Sequence, residues 1–150
     1  MKNHIIAFCL FACIGITAEI FFTSIYSNVE AFRAGERISW ALQGRSYIWM
    51  FFIYGLASLF FPFAMDRMKN IPLIFRLLVY STGIYIAEFT SGFLLEKLTG
   101  RCPWLYTEGW QVMGYIRLDY LPAWMGFSFL LEKLVVFFRG LGLIQEAKKS

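Results

Sequence analysis

Four apolar runs, each close to the length that crosses a lipid bilayer, constrain this chain more than any other feature. They cover residues 5–26, 47–65, 73–95 and 121–138. A hydrocarbon core about 30 Å thick needs roughly 20 residues of helix to span it. Inside lipid every backbone N–H and C=O must be satisfied within its own segment, so such runs fold as helices. The expectation is an all-α integral membrane protein: a four-helix transmembrane bundle with an aromatic-rich interfacial or re-entrant segment between helices 3 and 4. Residues 1–150 are expected to form a single transmembrane domain. Composition agrees, with 59% hydrophobic and only 16% charged residues, against about 25% charged in an ordinary soluble domain. A net charge of +4 gives no reason to expect a nucleic-acid partner. Three cysteines and a lone His4 make neither a disulfide framework nor a metal-ligand set, so no cofactor or metal is expected.

The first run has the outline of a secretory signal, with Lys2, an apolar stretch from Ile5 and small residues near Ala18. It continues to Tyr26, too long for a signal core, and is read as a retained transmembrane helix. Pro72 stands at the start of the third run, where a helix tolerates proline, and Pro62 lies near the end of the second. Residues 27–46 form a polar connection in which Glu30, Arg33, Glu36 and Arg37 follow the i,i+3 and i,i+4 spacing of a solvated or interfacial helix.

Four spans put both termini on one side. That side carries Lys2, Arg67, Lys69, Arg76, Arg139, Lys148 and Lys149; the other carries Arg33, Arg37, Arg45, Lys97, Arg101 and Arg117. Basic loops favour the cytoplasm, so the expected location is a bacterial cytoplasmic membrane with both termini cytoplasmic. All five tryptophans (Trp40, Trp49, Trp104, Trp110 and Trp124) fall on or beside the opposite face. That face should therefore hold an aromatic structure of its own.

Three runs carry a deep glutamate. At 1.5 Å of rise per residue, Glu19 lies about 21 Å past Ile5 and Glu88 about 22 Å past Leu73, both from the terminal side. Glu132 enters from the other side, about 16 Å below Leu121, in the same layer or one turn deeper. A carboxylate at the centre of a bilayer costs about 2.5–3.5 kcal/mol on the mildest scale. Small and polar residues at helical spacing, such as Gly15 and Thr23, Ser81 and Gly92, or Ser128, let helices approach closely and turn these carboxylates inward. The candidate ligand-binding set is Glu19, Glu88 and Glu132, with Tyr85, Thr23, Trp104, Tyr106 and Trp124 around them. Carboxylates sharing a dry site cannot all ionise, so the layer would suit a cation, a proton, or the polar head of a lipid or solute. The plainer alternative is a set of protonated glutamates that hydrogen-bond across helices and hold them together. Arg76 and Arg139 are expected to snorkel or meet lipid phosphates.

The segment RCPWLYTEGWQVMGYIRLDYLPAW, residues 101–124, is rich in rings suited to a membrane interface. It reads either as a lid over the glutamate layer or as an anchor orienting the third and fourth spans, with its 116–121 stretch alternating or forming a short interfacial helix. Cys102 is the one cysteine expected to be exposed. With the lone histidine near the other terminus, it is not read as a nucleophile.

The stretches PLIFRLLVYSTGIYIAEFTSGFLLEKL, RCPWLYT, MGYIRL and PAWMG closely resemble the transmembrane protein 229 family, whose bacterial relatives carry the label of ABC-transporter type IV membrane proteins. The resemblance runs from about Gly15 to Leu141 and is strongest between Pro72 and Lys133. The family has an acidic residue where Leu105 stands and commonly serine where Thr107 stands, so no acid–base role is expected of that loop. What the resemblance implies is a four-helix integral membrane protein, without a mechanism. No phosphate-binding loop occurs in the chain, so an ATPase would be a separate subunit.

Three functions fit these readings. The first is a protein that binds or translocates a cation, a proton, or a lipid or small polar ligand at the glutamate layer, as an oligomer or transporter subunit. The second is a structural or regulatory subunit that stabilises a partner membrane protein. The third is a lipid-modifying membrane enzyme, with an enzymatic role less expected than a non-enzymatic one. The partners expected are membrane lipids and either a second copy or a partner membrane subunit.

Overall fold

A computed structural model describes residues 2–145. Four helices dominate it: α1 (Lys2–Arg33), α2 (Ile48–Arg67), α3 (Leu73–Thr99) and α4 (Leu121–Gly140). Each is long and apolar enough to cross a membrane. Three of them begin within a residue of the expected positions. The largest departure is at the end of α1, which runs for 32 residues, or about 48 Å. Its last residues, SNVEAFR, come from the stretch expected as a connection. No glycine or proline interrupts them until Gly35, which takes φ +76°. There Glu36 N–H bonds the Ala31 carbonyl at 2.8 Å and Gly35 N–H the Phe32 carbonyl at 3.1 Å, the paired closure that a left-handed glycine permits.

Between α3 and α4 the chain builds a small antiparallel hairpin rather than an interfacial helix. Strands β1 (Gln111–Val112) and β2 (Ile116–Arg117) pair Gln111 with Arg117 and Val112 with Ile116. Met113 (φ 53°) and Gly114 (φ 77°) make the turn, and Tyr115 N–H closes it on the Val112 carbonyl at 3.1 Å. Positive φ at both central residues matches the right-handed twist of a hairpin. One 3-10 turn, Leu118–Tyr120, then leads into α4.

The contacts of the chain gather into two compact units, Met1–Leu59 and Phe60–Ser150, with the boundary inside α2. In the first unit α1 and the beginning of α2 run antiparallel. Gly15 lies against the Tyr54 side chain and Gly55 against the Phe8 ring, so each helix offers bare backbone where the other presents a ring. Phe8 also meets Phe51 edge to face, with ring centres 6.0 Å apart. In the second unit the end of α2, α3, the hairpin and α4 share a core that includes Phe61, Leu77, Tyr80, Leu95, Leu131, Val135 and Phe138. The rings of Phe61 and Tyr80 sit 4.5 Å apart. Ser81 and Ser128 are wholly buried.

The outward faces of the helices are apolar. Phe21, Phe60 and Leu98 are 66%, 68% and 77% exposed. Contiguous apolar surface of this extent is what acyl chains, rather than water, would cover. The described helices thus read as those of a membrane protein.

Candidate functional site

The strongest polar feature of the second unit joins the start of α3 to the later half of α4. Arg76, in the first turn of α3, donates from Nε and Nη2 to the two carboxylate oxygens of Glu132 at 2.8 and 3.0 Å. Its third nitrogen, Nη1, bonds the Ile71 carbonyl at 2.9 Å. Planar, two-bond recognition of this kind is the guanidinium's particular strength. Glu132 is only 7% exposed, so this is a buried pair and not a surface one. Tyr80, one turn further along α3, flanks it.

On α4, Val136 and Arg139 follow Glu132 at one and two turns and extend the same face. Arg139 Nη2 donates to Asp66 Oδ2 at 2.8 Å, tying the end of α4 to the end of α2. Met65, Asp66, Lys69, Arg76, Glu132, Val136 and Arg139 enclose a cavity of about 430 Å³. Its walls hold three cations and two carboxylates. Arg76 commits all its nitrogens to partners. Arg139 Nε is buried and unpartnered, and Lys69 is exposed and makes no ion pair among the described residues.

Glu88 is buried to the same degree, at 7% exposed, but stands elsewhere. Twelve residues of α3 separate it from Arg76, about 18 Å along the axis. Glu132, held by Arg76, is therefore not in the layer of Glu88, contrary to the expectation from span boundaries. Helices α3 and α4 begin where expected; their pairing sets the level, and no depth count includes that. Trp124 and Ser128 lie two turns and one turn before Glu132 on α4, and Trp124 Nε1 and Ser128 Oγ are buried without a hydrogen-bond partner among the described residues. The Trp124 ring meets Phe127 edge-on, with centres 6.1 Å apart.

The hairpin and the chain before it dock on the last four turns of α3. Tyr85 donates its hydroxyl to the Leu118 carbonyl at 3.0 Å. A Cβ built on Gly92 would lie 3.2 Å from the Tyr115 ring, 3.3 Å from Cys102 Sγ and 3.5 Å from the Trp104 ring. A side chain there would press the Tyr115 ring and Cys102 Sγ back by a few tenths of an ångström, so glycine's bare backbone suits the close docking. Tyr115 also meets Phe89 edge to face at 5.2 Å and donates its hydroxyl to Glu96 Oε2 at 2.7 Å. Tyr106 fixes the other side of the cap: its N–H bonds the Gly114 carbonyl at 2.9 Å, and its ring abuts that of Tyr120 at 5.9 Å. Asp119 accepts the Trp110 N–H at 3.1 Å and pairs with Arg117. Cys102, expected as an exposed thiol, is half-buried, and its Sγ lies 3.0 Å from the Trp104 carbonyl. Burial pushes this thiol above its ordinary range, away from nucleophilic character.

In the first unit Glu19 is half-buried and accepts a hydrogen bond from the Ser46 hydroxyl at 2.7 Å. Thr23 Oγ1 accepts the Arg45 N–H at 2.9 Å and lies 3.0 Å from the Arg45 carbonyl. Thr23 thus holds the Arg45 backbone, and Glu19 the Ser46 side chain, against α1.

Of the expected set, Tyr85, Trp104 and Tyr106 belong to the docked cap, Glu132 lines the cavity, and Glu88 and Trp124 lie in the unit's interior. The residues missed as site residues are Arg76 and Arg139, expected to snorkel or meet lipid phosphates, and Asp66 and Lys69, to which no role is assigned from the sequence. The sequence held a signal in the spacing of Glu132, Val136 and Arg139, which puts an acid and a base on one face of α4. Among the described residues no group of three or more His, Cys, Asp or Glu side chains is placed to hold a metal. Neither a protein-family model nor a solved structure matches this chain.

Two predictions follow from these contacts. Arg76→Met leaves Glu132 buried and unpaired and should lower stability by about 3–5 kcal/mol, whereas the double change Arg76→Met, Glu132→Leu should recover most of that loss. Denaturant titration in detergent micelles measures both, and a double variant no better than the single would refute the pairing. The second concerns Tyr115, whose bond to Glu96 favours the neutral phenol and holds its ionisation above the ordinary value of 10.0. That contribution is fully present below pH 10.0 and is lost as pH climbs through the raised folded-state value. The stability gap between wild type and Tyr115→Phe should therefore be constant below pH 10.0 and shrink above it, as read by denaturant titration across that range; a gap that does not change with pH would count against the bond.

Proposed function

We propose that this is a small polytopic membrane protein that binds a polar ligand, a lipid headgroup or a solute of similar size, in the charged cavity of the second unit. The observation that carries the reading is that cavity itself: about 430 Å³, lined by two acid–base pairs and an exposed lysine. Ligand sites fall between about 300 and 1,000 Å³ and combine an apolar wall with a few oriented polar groups; here Met65 and Val136 supply the wall. The two ion pairs fix the polar groups in advance, which lowers the ordering cost of binding. The cavity opens where α2 ends and α3 begins, at the depth of headgroups if these helices span. On the basic-residue count it would face the cytoplasm. The resemblance to the transmembrane protein 229 family fits four spans and contributes no ligand. Four short spans enclose little space, so translocation, as opposed to binding, would call for a second copy or a partner subunit.

The test leaves every charge in place. Val136→Trp should fill the cavity and reduce lipid retained from a phosphatidylcholine–phosphatidylglycerol mixture by about tenfold or more, a change of at least roughly 1.4 kcal/mol. Native mass spectrometry of the purified protein reads the occupancy. Equal retention by wild type and variant would end this reading.

A second reading attaches to Glu88, supported by its burial in the apolar α3 helix. Ionisable residues inside membrane spans mark ion or proton pathways more often than not. On this reading Glu88→Gln abolishes proton or cation flux into proteoliposomes while insertion is unchanged. Flux equal to wild type would remove it.

A further inference from the structure

We infer that the ligand of this cavity carries a terminal phosphate, a phosphomonoester, and that Lys69 and Arg139 are the residues that receive it. The inference rests on the binding reading above and specifies the ligand's charge.

The cavity is an unequal set of charges. Its two carboxylates are occupied: Glu132 by the two-bond contact with Arg76, and Asp66 by Arg139 Nη2 at 2.8 Å. Three cations stand against two acids, so one positive charge is left over. The spare hydrogen-bond donors belong to the same cations. Arg139 Nε is buried with no partner, and its side chain is only 15% exposed. A buried N–H of a charged group without a partner among the described residues is an unfavourable arrangement, and an incoming oxygen would relieve it once the Arg139 side chain turns that edge to the cavity. The Lys69 ammonium has three donors and no ion-pair partner among the described residues. No carboxylate in the wall is left to hold a cationic ligand.

A phosphate matches these vacant donors better than a carboxylate. It offers more acceptor oxygens and more charge, and it can accept from an ammonium and a guanidinium edge together. Arg76 is excluded as a receiver because its nitrogens are committed to Glu132 and to the Ile71 carbonyl. Its role is to keep Glu132 from repelling the ligand. The shared chemistry is the phosphate; its source is a lipid headgroup or a soluble phosphate ester.

The experiment uses the full chain, purified and delipidated in detergent, titrated with dihexanoyl phosphatidic acid, dihexanoyl phosphatidylcholine and glycerol 3-phosphate. Wild type should bind phosphatidic acid at least about tenfold more tightly than phosphatidylcholine, as expected for a hydrogen-bonded charge contact. Lys69→Gln touches neither ion pair and should remove roughly that tenfold. Arg139→Lys keeps the charge beside Asp66 but loses the Nε donor, and should also weaken binding. Lys133→Gln alters a lysine that lies over the Phe129 ring, outside the cavity wall, and should change nothing. Glycerol 3-phosphate binding as tightly as phosphatidic acid would support the inference with a soluble source. Equal binding of the two lipids, both lost in Val136→Trp, would overturn the inference of a terminal phosphate and leave the cavity reading standing. Binding of either lipid that ignores Val136→Trp would overturn both.

Discussion

A carboxylate inside an apolar helix must be met by a partner within the protein, and the Arg76–Glu132 contact is how α3 and α4 meet that demand. Taking two charges out of water is costly, and only close two-bond geometry offsets it. The geometry here is of that kind, at 2.8 and 3.0 Å. With Arg76 opposite Glu132, the antiparallel register of the two helices is set. The same register carries Val136 and Arg139 to the end of α2, where Arg139 finds Asp66. The cavity follows from that pairing.

The other end of the second unit obeys a different rule. There α3 offers Gly92, and the hairpin supplies rings that need a flat backbone to rest on. Tyr85 and Tyr115 anchor the cap with one hydrogen bond each, to a backbone carbonyl and to a carboxylate. The aromatic end is closed by packing, while the charged end keeps a cavity. About 18 Å of α3 separates Arg76 from Glu88, so the two ends can serve different purposes. A phosphate at one and a proton at the other would be independent events, and each has its own variant.

The small residues show the same division of labour. Gly15 and Gly55 admit Tyr54 and Phe8 in the first unit, and Gly92 admits the cap in the second. In lipid, where apolar contact between helices gains little over contact with acyl chains, close backbone approach and hydrogen bonding must supply the attraction. Thr23 does this for the Arg45 backbone and Glu19 for the Ser46 side chain.

Hydropathy and helical rise are local properties, and what depends on them could be read directly from the sequence. The four long helices, Pro72 at the start of α3, the inward burial of Glu88 and Glu132, and the aromatic character of the 101–124 segment all follow from residue type and spacing. The end of α1 was also there in the chain, since nothing before Gly35 could stop it. Which side chain answers which is another matter. Depth counting places Glu132 near Glu88, yet it sits with Arg76; Arg139 pairs with Asp66, a partner that helical spacing does not name. Those partners lie 56 and 73 residues apart, and only the register of one helix against another brings them together. That register comes from packed faces and matched charges in three dimensions, which no single helix contains.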